Sequence, residues 1–148
     1  MIGPSTRARY ALRAMIELAL REGSGPVLLR QVAQAQQISA KYLEQLTIPL
    51  RRDGLLQAER GPQGGYELAR PAAEITAREI VEAVEGPLHF VECVPRPESC
   101  DRTPTCAARG LWARVGDAVS AVLSDTTLAD LREQQLAAQA DTGACYQI

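Results

Sequence analysis

Apolar residues recur at helical spacing along the first third of the chain, and glycine or polar clusters separate the periodic segments. The clearest apolar stripe consists of Leu12, Met15, Ile16, Ala19 and Leu20. The pattern predicts helices from about Thr6 to Arg21, from Leu29 to Gln36 and from about Ala40 to Arg52. Ser39 stands where it can cap the third helix, directly after a short turn.

Two short strand-like runs follow the third helix. They cover Leu55–Arg60 and Tyr66–Ala69, and a glycine-rich loop at 61–65 joins them. This arrangement predicts a β-hairpin. Helix, helix, turn, helix and hairpin in this order are typical of a winged helix-turn-helix domain. We therefore predict such a DNA-binding domain over residues 1–70.

The second half, residues 71–148, begins with a helix and a proline-rich loop. Thr76 and Glu79 have the spacing of a capping box, which predicts a helix that ends near Glu85. Gly86-Pro87 then stops the helix, and three prolines exclude a continuous helix in the following loop. We refer to the part of this loop at about 93–106 as the cysteine loop.

A long helix is predicted from about Ala107 to Leu123. Its apolar residues step by three, four and three at Trp112, Val115, Val119 and Val122. This spacing is typical of a coiled-coil seam and predicts a homodimer; packing against the first half of the same chain is the alternative. A last helix fits Leu128–Ala138, with Thr127 and Asp130 as its capping pair, and a loose tail is expected from Gln139. The predicted fold class is mainly α with a small β-hairpin wing, consisting of a winged helix-turn-helix and a C-terminal dimerisation helix.

Charge is unevenly distributed along the chain, which carries a net charge of −2. Residues 1–70 hold ten basic and six acidic residues, whereas residues 71–148 hold six basic and twelve acidic residues. A basic first half suits a polyanion such as double-stranded DNA. No apolar run is long enough for a membrane span, and arginines interrupt any secretory signal at the N-terminus. We expect a cytoplasmic protein that does not contact a membrane.

The third predicted helix carries the candidate DNA-reading residues. They are Ser39, Lys41, Tyr42, Glu44, Gln45 and, at the end of the helix, Arg51. Serine, tyrosine and glutamine can bind base edges or phosphates, lysine and arginine supply positive charge, and a glutamate can accept a hydrogen bond from cytosine N4. The alternative is an amphipathic helix whose polar face is only solvated.

The predicted hairpin loop supplies a second candidate DNA contact. Gly64 and Gly65 leave its backbone nearly free of side chains, so the backbone can approach a ligand closely. Arg60 stands at the edge of this loop, where it suits a narrow minor groove. A plain tight turn is the alternative interpretation.

Three cysteines lie in the loop that precedes the long helix. Cys93, Cys100 and Cys106 are separated by six and five residues. Thiolates held in one short loop suit a soft metal or an iron–sulfur cluster. A structural zinc ion and thiol-based redox sensing without a metal are the alternatives.

Several of these motifs resemble the Rrf family of bacterial regulators, in particular its iron–sulfur members of the IscR and NsrR type. The resemblance rests on Thr6–Tyr10, Ile38–Gln45, Arg60–Tyr66 and Thr127–Leu131. It implies a homodimeric winged-helix repressor or dual regulator with a cluster at the base of the dimerisation helix. It also implies that the DNA contacts are Ser39, Tyr42, Glu44, Gln45 and Arg60.

The chain departs from this family at the fourth cluster ligand. The IscR type has a histidine where this chain has Arg109, and the NsrR type has an aspartate where it has Arg9. Arginine is permanently protonated and is not a normal metal ligand. The remaining candidates are His89, Glu92, Cys145 and a small exogenous ligand.

The sequence therefore predicts a DNA-binding transcriptional regulator, with repressor as the predicted role, that senses a cluster, iron, nitric oxide or redox state through three cysteines. An enzyme is not expected, because the chain has no nucleotide-binding glycine motif, no C-x-x-C pair and only one histidine. A zinc-stabilised interaction module that does not bind DNA is the third interpretation.

Overall fold

The computed structural model describes residues 3–61 and 64–144, and it has the predicted mainly α architecture. In chain order its elements are α1 (Thr6–Leu20), α2 (Leu29–Gln36), α3 (Ala40–Arg52), β1 (Leu56–Glu59), β2 (Gly65–Leu68), α4 (Ala77–Glu85), α5 (Ala107–Asp125) and α6 (Leu128–Ala144). The two strands pair antiparallel, with Leu56 opposite Leu68 and Ala58 opposite Tyr66. Within the described ranges, no helix is both long enough and apolar enough to cross a membrane.

Most element boundaries agree with the predictions, and the main correction concerns the C-terminus. The predicted loose tail from Gln139 is wrong as far as Ala144, because α6 continues to that residue. Ala137, Ala138, Gln139 and Ala140 are all good helix formers, and no proline interrupts them. Residues 145–148, and with them Cys145, lie outside the described part of the chain.

One hydrophobic core joins the two halves of the chain. Its fully buried large side chains are Met15, Val32, Leu43, Leu46, Leu50, Leu55, Ile75, Ile80 and Leu128. The last three belong to the second half, yet they lie in the same cluster as residues of α1, α2 and α3. The helix-turn-helix is therefore built around α4 and the beginning of α6.

Two capping boxes fix the beginnings of α4 and α6. The Thr76 hydroxyl accepts from the Glu79 amide at 3.2 Å, while the Glu79 carboxylate accepts from the Thr76 amide at 2.8 Å. Thr127 and Asp130 make the same reciprocal pair. The Thr127 amide and hydroxyl, both donating to Asp130, hold the pKa of that carboxyl below its ordinary value. Both caps predicted from the sequence are thus confirmed.

Backbone hydrogen bonds then join these two helix beginnings directly. The Leu128 amide donates to the Ile75 carbonyl at 2.7 Å, and the Ala77 amide donates to the Thr126 carbonyl at 2.8 Å. The end of α5 consequently lies beside the beginning of α4. Residues 86–106, which include the cysteine loop, join the other ends of these two helices.

Glu22, just beyond α1, ties α6 to the first half of the chain. One carboxylate oxygen accepts from the Ala72 amide at 3.0 Å, and the other accepts from Arg132 in α6 at 2.6 Å. This carboxylate and the buried Leu128 hold the first half of α6 against α1.

The docking of α6 onto the shared core depends on Leu128. We expect Leu128→Ala to lower the free energy of unfolding by about 2–5 kcal/mol, because it removes a fully buried side chain and leaves a cavity. Leu136→Ala in the same helix is the matched control. Its side chain is 51% exposed, so the change should be within about 0.5 kcal/mol. Urea denaturation measures both, and equal effects would contradict the docking of α6 through Leu128.

Candidate nucleic-acid interface and cysteine loop

The turn between α2 and α3 sets the direction of the candidate reading helix. Gln37 has a left-handed backbone with φ of 53°, which reverses the chain at the end of α2. Ile38 is buried beneath this turn. The Ser39 hydroxyl then accepts from the Tyr42 amide at 3.4 Å and caps α3. The structure thus gives Ser39 a capping role at the tip of the candidate reading helix.

The polar face of α3 points away from the core. Lys41, Glu44, Gln45 and Arg51 are exposed, whereas Leu43, Leu46 and Leu50 are buried. Lys41, Glu44 and Gln45 follow the N-cap within the first two turns, so the structure brings three of the predicted DNA-reading residues onto one solvent-facing surface. Arg51 lies two turns further along, near the other end of the helix.

Tyr42 contacts α1. Its ring packs edge-to-face against Tyr10 with centroids 5.7 Å apart, and the Arg13 guanidinium lies 5.6 Å from the centroid of the Tyr10 ring. This half-buried contact orients Tyr42 at the base of the polar face. The role of Tyr10 and Arg13 as supports was missed from the sequence.

A polar network beneath the turn holds α1 to α2. Buried Glu17 accepts from Arg21 at 2.7 Å and from the Gln36 side chain at 2.8 Å. Arg13 in turn donates to both the side-chain and the main-chain oxygen of Gln36. Because Gln36 is the last residue of α2, this network fixes the point from which the turn departs. The signal in the sequence was a glutamate next to the apolar stripe of α1.

The hairpin is fastened to the segment before α2. Val27 and Tyr66 exchange two backbone hydrogen bonds of 2.8 Å each. A Cβ on Gly65 would lie 2.4 Å from the Val27 carbonyl oxygen, and one on Gly64 would lie 2.3 Å from that of Glu59. Both glycines are therefore required by the packing of the hairpin, whatever they do toward DNA. Arg60 is exposed directly after β1, and residues 62–63 of the loop lie outside the described ranges.

The cysteine loop follows α4 and contains two short 3₁₀ turns, Pro97–Ser99 and Thr103–Thr105. Cys93 and Cys106 are half-buried at its two ends, and Cys100 is exposed between the turns. In the described part of the chain, no three His, Cys, Asp or Glu side chains already surround a possible metal position. The three thiols share one loop, but they are not assembled as a ligand set.

Arg109 joins the two ends of the cysteine loop. From the first turn of α5 its Nε donates to the Cys93 carbonyl at 2.8 Å, and its Nη2 donates to the Val94 carbonyl at 3.3 Å. His89, a candidate fourth ligand, instead lies 3.1 Å from a carboxylate oxygen of Glu92, another candidate. Arg9 is exposed in α1, where it donates to Thr6.

The end of α4 lies against the DNA-binding half. Arg52, the last residue of α3, donates to the Ala83 carbonyl at 3.4 Å, and the Ser5 hydroxyl donates to Glu85. Both acceptors lie in the last turn of α4, from which residues 86–92 lead to the cysteine loop. The last turn of α4 thus contacts the end of the candidate reading helix and also leads into the connection that holds the cysteine loop.

Helix α5 is only partly covered by the rest of the chain: Trp112, Val115 and Val119 of the predicted seam are half-buried, and Val122 is exposed. None of its 19 residues is buried in the single chain, and Leu111 and Val122 are 54% and 66% exposed. Trp112 stacks on Phe90 with ring centroids 6.3 Å apart. Beside this stack, a groove of about 400 Å³ runs along small residues of α5, among them Ala113, Gly116 and Ser120.

Comparisons with known proteins cover nearly all of the chain. The family model Rrf2, described as an iron-dependent transcriptional regulator, matches residues 4–134. The HTH-type transcriptional regulator CymR of Bacillus subtilis (strain 168) is 46% identical over 127 residues, which are 86% of this chain and 87% of that protein.

Two solved structures are similar in fold as well as in sequence. The structure of CymR, described as the global cysteine regulator of B. subtilis, has a TM-score of 0.77 and 44% identity, and the match covers 90% of this chain and 98% of the other. The structure of T. potens IscR also has a TM-score of 0.77, with 36% identity and coverage of 93% and 91%. The winged helix-turn-helix prediction is thereby confirmed.

Proposed function

This chain belongs to the Rrf2 family of DNA-binding transcriptional regulators, and we propose that it is a homodimeric repressor that senses an iron–sulfur cluster in its cysteine loop. Family membership makes it a regulator and not an enzyme. We propose which residues read DNA, how two copies pair and what the cysteines bind. The observation that carries it is a three-cysteine loop in the connection that follows α4, whose last turn contacts the end of α3.

Reading of the operator is assigned to the polar face of α3. Lys41, Glu44 and Gln45 are exposed on a helix whose opposite side is buried, so they can enter a major groove without disturbing the core. Glu44 fits base readout, because a carboxylate beside phosphates is repelled unless it accepts a hydrogen bond from a base. Ser39 and Tyr42 support the face by capping and packing, and either can add a contact.

The hairpin and the end of α3 supply further contacts. Arg60 projects from the wing and suits a minor groove flanking the α3 site. Gly64 and Gly65 would contact DNA through their backbone, while their missing Cβ atoms make room for the carbonyls of Glu59 and Val27. Arg51 is exposed beyond the base-reading turns and suits a phosphate.

The DNA contacts can be separated by two substitutions, using an operator selected from random-sequence DNA. Lys41→Gln should weaken binding to all sequences and reduce the slope of log affinity against log salt by about 0.9 for each phosphate that is no longer neutralised. Glu44→Ala should instead lose about 1–3 kcal/mol of discrimination at one base pair per half-site. Fluorescence anisotropy at several salt concentrations measures both quantities.

Arg102→Gln is the charge-matched control for Lys41→Gln, because Arg102 is exposed on the cysteine loop. It should leave the salt slope unchanged. If Glu44→Ala weakened operator and random DNA equally, Glu44 would have no part in base readout.

Dimerisation is assigned to the uncovered side of α5. Leu111 and Val122 expose apolar surface that a second copy would bury, and full burial of such a side chain contributes about 1.5–3 kcal/mol. A two-fold symmetric interface buries each residue twice. The small residues beside the Phe90–Trp112 stack allow another helix to approach closely. A second copy is the occupant that DNA reading favours, because two reading helices match two half-sites.

Val122→Asp tests this interface, because it places a charge within the proposed seam. We expect the variant to sediment near the chain mass of 16.0 kDa, while the unaltered protein sediments near twice that mass. Leu136→Asp, in α6, is the control and should remain dimeric, since it also charges an exposed leucine. A Val122→Asp variant that stayed dimeric would exclude this seam.

The cysteine loop suits a soft metal group in its donor chemistry. Cys93, Cys100 and Cys106 would supply three soft thiolate ligands from one loop. Bound there, an iron–sulfur cluster would supply a group that is gained, lost or oxidised with iron supply, nitric oxide or redox stress. Because Cys100 is exposed and the three thiols of the described chain are not assembled as a ligand set, loading would require the loop to close around the group.

Closure of the cysteine loop would shift the last turn of α4 and, through Arg52, the end of α3 relative to DNA. Residues 86–92 lead to this loop from the last turn of α4, which Arg52 and Ser5 contact, and Arg52 is the last residue of α3. A coupling free energy of about 1–3 kcal/mol would change operator affinity roughly 5- to 150-fold, which suffices for a switch.

Anaerobic purification tests the cluster directly. We expect a brown protein that contains iron and sulfide in near-equal amounts and loses both on substitution of Cys93, Cys100 or Cys106 by Ala. Ser99→Ala in the same loop is the control and should retain the colour. A protein that stays colourless after reconstitution with iron and sulfide would overturn the cluster proposal while leaving DNA binding intact.

A second candidate for the sensing chemistry is zinc binding or thiol oxidation without a cluster. It is favoured by the exposed Cys100 and by the similarity to B. subtilis CymR, a protein described as a cysteine regulator. Zinc recovered in place of iron, or a change in operator affinity on thiol oxidation of metal-free protein, would support it.

A further inference from the structure

Arg109 occupies the position that controls the shape of the cysteine loop. Its guanidinium donates to two successive carbonyls, those of Cys93 and Val94, from the first turn of the helix that Cys106 begins. A planar guanidinium holds two acceptors in a fixed geometry, which an ammonium cannot do. The contact therefore sets both the distance and the orientation of the Cys93 backbone relative to α5.

This contact ties the backbone of Cys93 to the end of α5 that Cys106 begins. Arg109 follows Cys106 by three residues, which is less than one helical turn, so both lie at the same end of α5. Both thiols are half-buried, in contrast to exposed Cys100. The loop ends are thus held in place by protein contacts alone, while the middle of the loop faces solvent.

We propose that Arg109 is a positioning residue that keeps Cys93 and Cys106 ready as a ligand pair, so that only Cys100 must move to complete a three-thiolate site. The inference rests on the proposed metal-binding role of the cysteine loop. Arg109 does not bind the metal itself, because a guanidinium has no lone pair to offer. It acts through the main chain of the first ligand.

The two carbonyls explain why an arginine serves here. Carbonyls at the end of a turn lack amide partners, and a charged donor satisfies two of them at once. Loss of the guanidinium would free Cys93 to move with the rest of the loop. The ligand pair would then have to be ordered anew on each metal binding.

Two measurements on the full-length, metal-free protein test this. The first is the rate at which each thiol reacts with N-ethylmaleimide, resolved by peptide mass spectrometry. We expect Arg109→Gln to speed the reaction of Cys93 several-fold and to leave that of Cys100 unchanged. This arm needs no metal, so it decides the positioning role even if no cluster is ever found.

The second measurement is titration with Cd²⁺, followed by ultraviolet thiolate-to-metal absorption. The affinity of Arg109→Gln should fall about tenfold, as expected for losing charge-assisted hydrogen bonds that order a ligand. Arg109→Lys keeps the charge without the fork and should recover only part of this loss. Arg102→Gln, which removes a charge from the same loop, should match the unaltered protein.

The outcomes separate the two proposals. Unchanged Cys93 reactivity in Arg109→Gln, or full recovery by Arg109→Lys, would overturn the positioning role. Expected Arg109 effects in a protein that never takes iron would overturn the cluster and leave the positioning role in place. Circular dichroism of each variant confirms that the helices are retained, and Arg109→Lys carries the test if Arg109→Gln does not fold.

Discussion

Burial of Ile75, Ile80 and Leu128 in the same core as α1 and α3 is the interaction on which the rest of the structure depends. It places the second half of the chain in contact with the DNA-binding half. Because the beginnings of α4 and α6 are held together by backbone hydrogen bonds, α5 has little freedom at its C-terminal end. The other end of α5 lies beside the cysteine loop and is held there by side-chain hydrogen bonds from Arg109. Such contacts rearrange more easily than the backbone hydrogen bonds at the C-terminal end, so this is the end that a bound group would move.

Hydrogen bonds of buried polar side chains fix how the helices are oriented within this apolar core. Glu17 is buried, and an unpaired buried charge costs several kcal/mol, so the fold requires its bonds to Arg21 and Gln36. Through Gln36 that requirement extends to the turn before α3. The network adds directional hydrogen bonds that position the end of α2 against α1.

Local signals in the sequence predicted most of the fold. The capping pairs at Thr76 and Thr127, the glycine breaks and the apolar periodicity each depend on neighbours in the chain, so they can be found without knowing the tertiary structure. The contacts of Tyr10, Glu17 and Arg109 depend on which faces meet in space. The periodicity of apolar residues does not specify which faces contact each other. The polar face of α3 was predictable for the same local reason, whereas the separation of the three thiols was not.

The exposed apolar residues of α5 have a consequence for gene control. In the proposed dimer, DNA-competent protein forms from two chains, so its amount varies with the square of the chain concentration when most chains are single. A small change in synthesis or degradation would then produce a disproportionate change in operator occupancy. The exposed leucine and valine of one helix would in this way give the regulator a threshold in its own abundance, separate from any signal read by its cysteines.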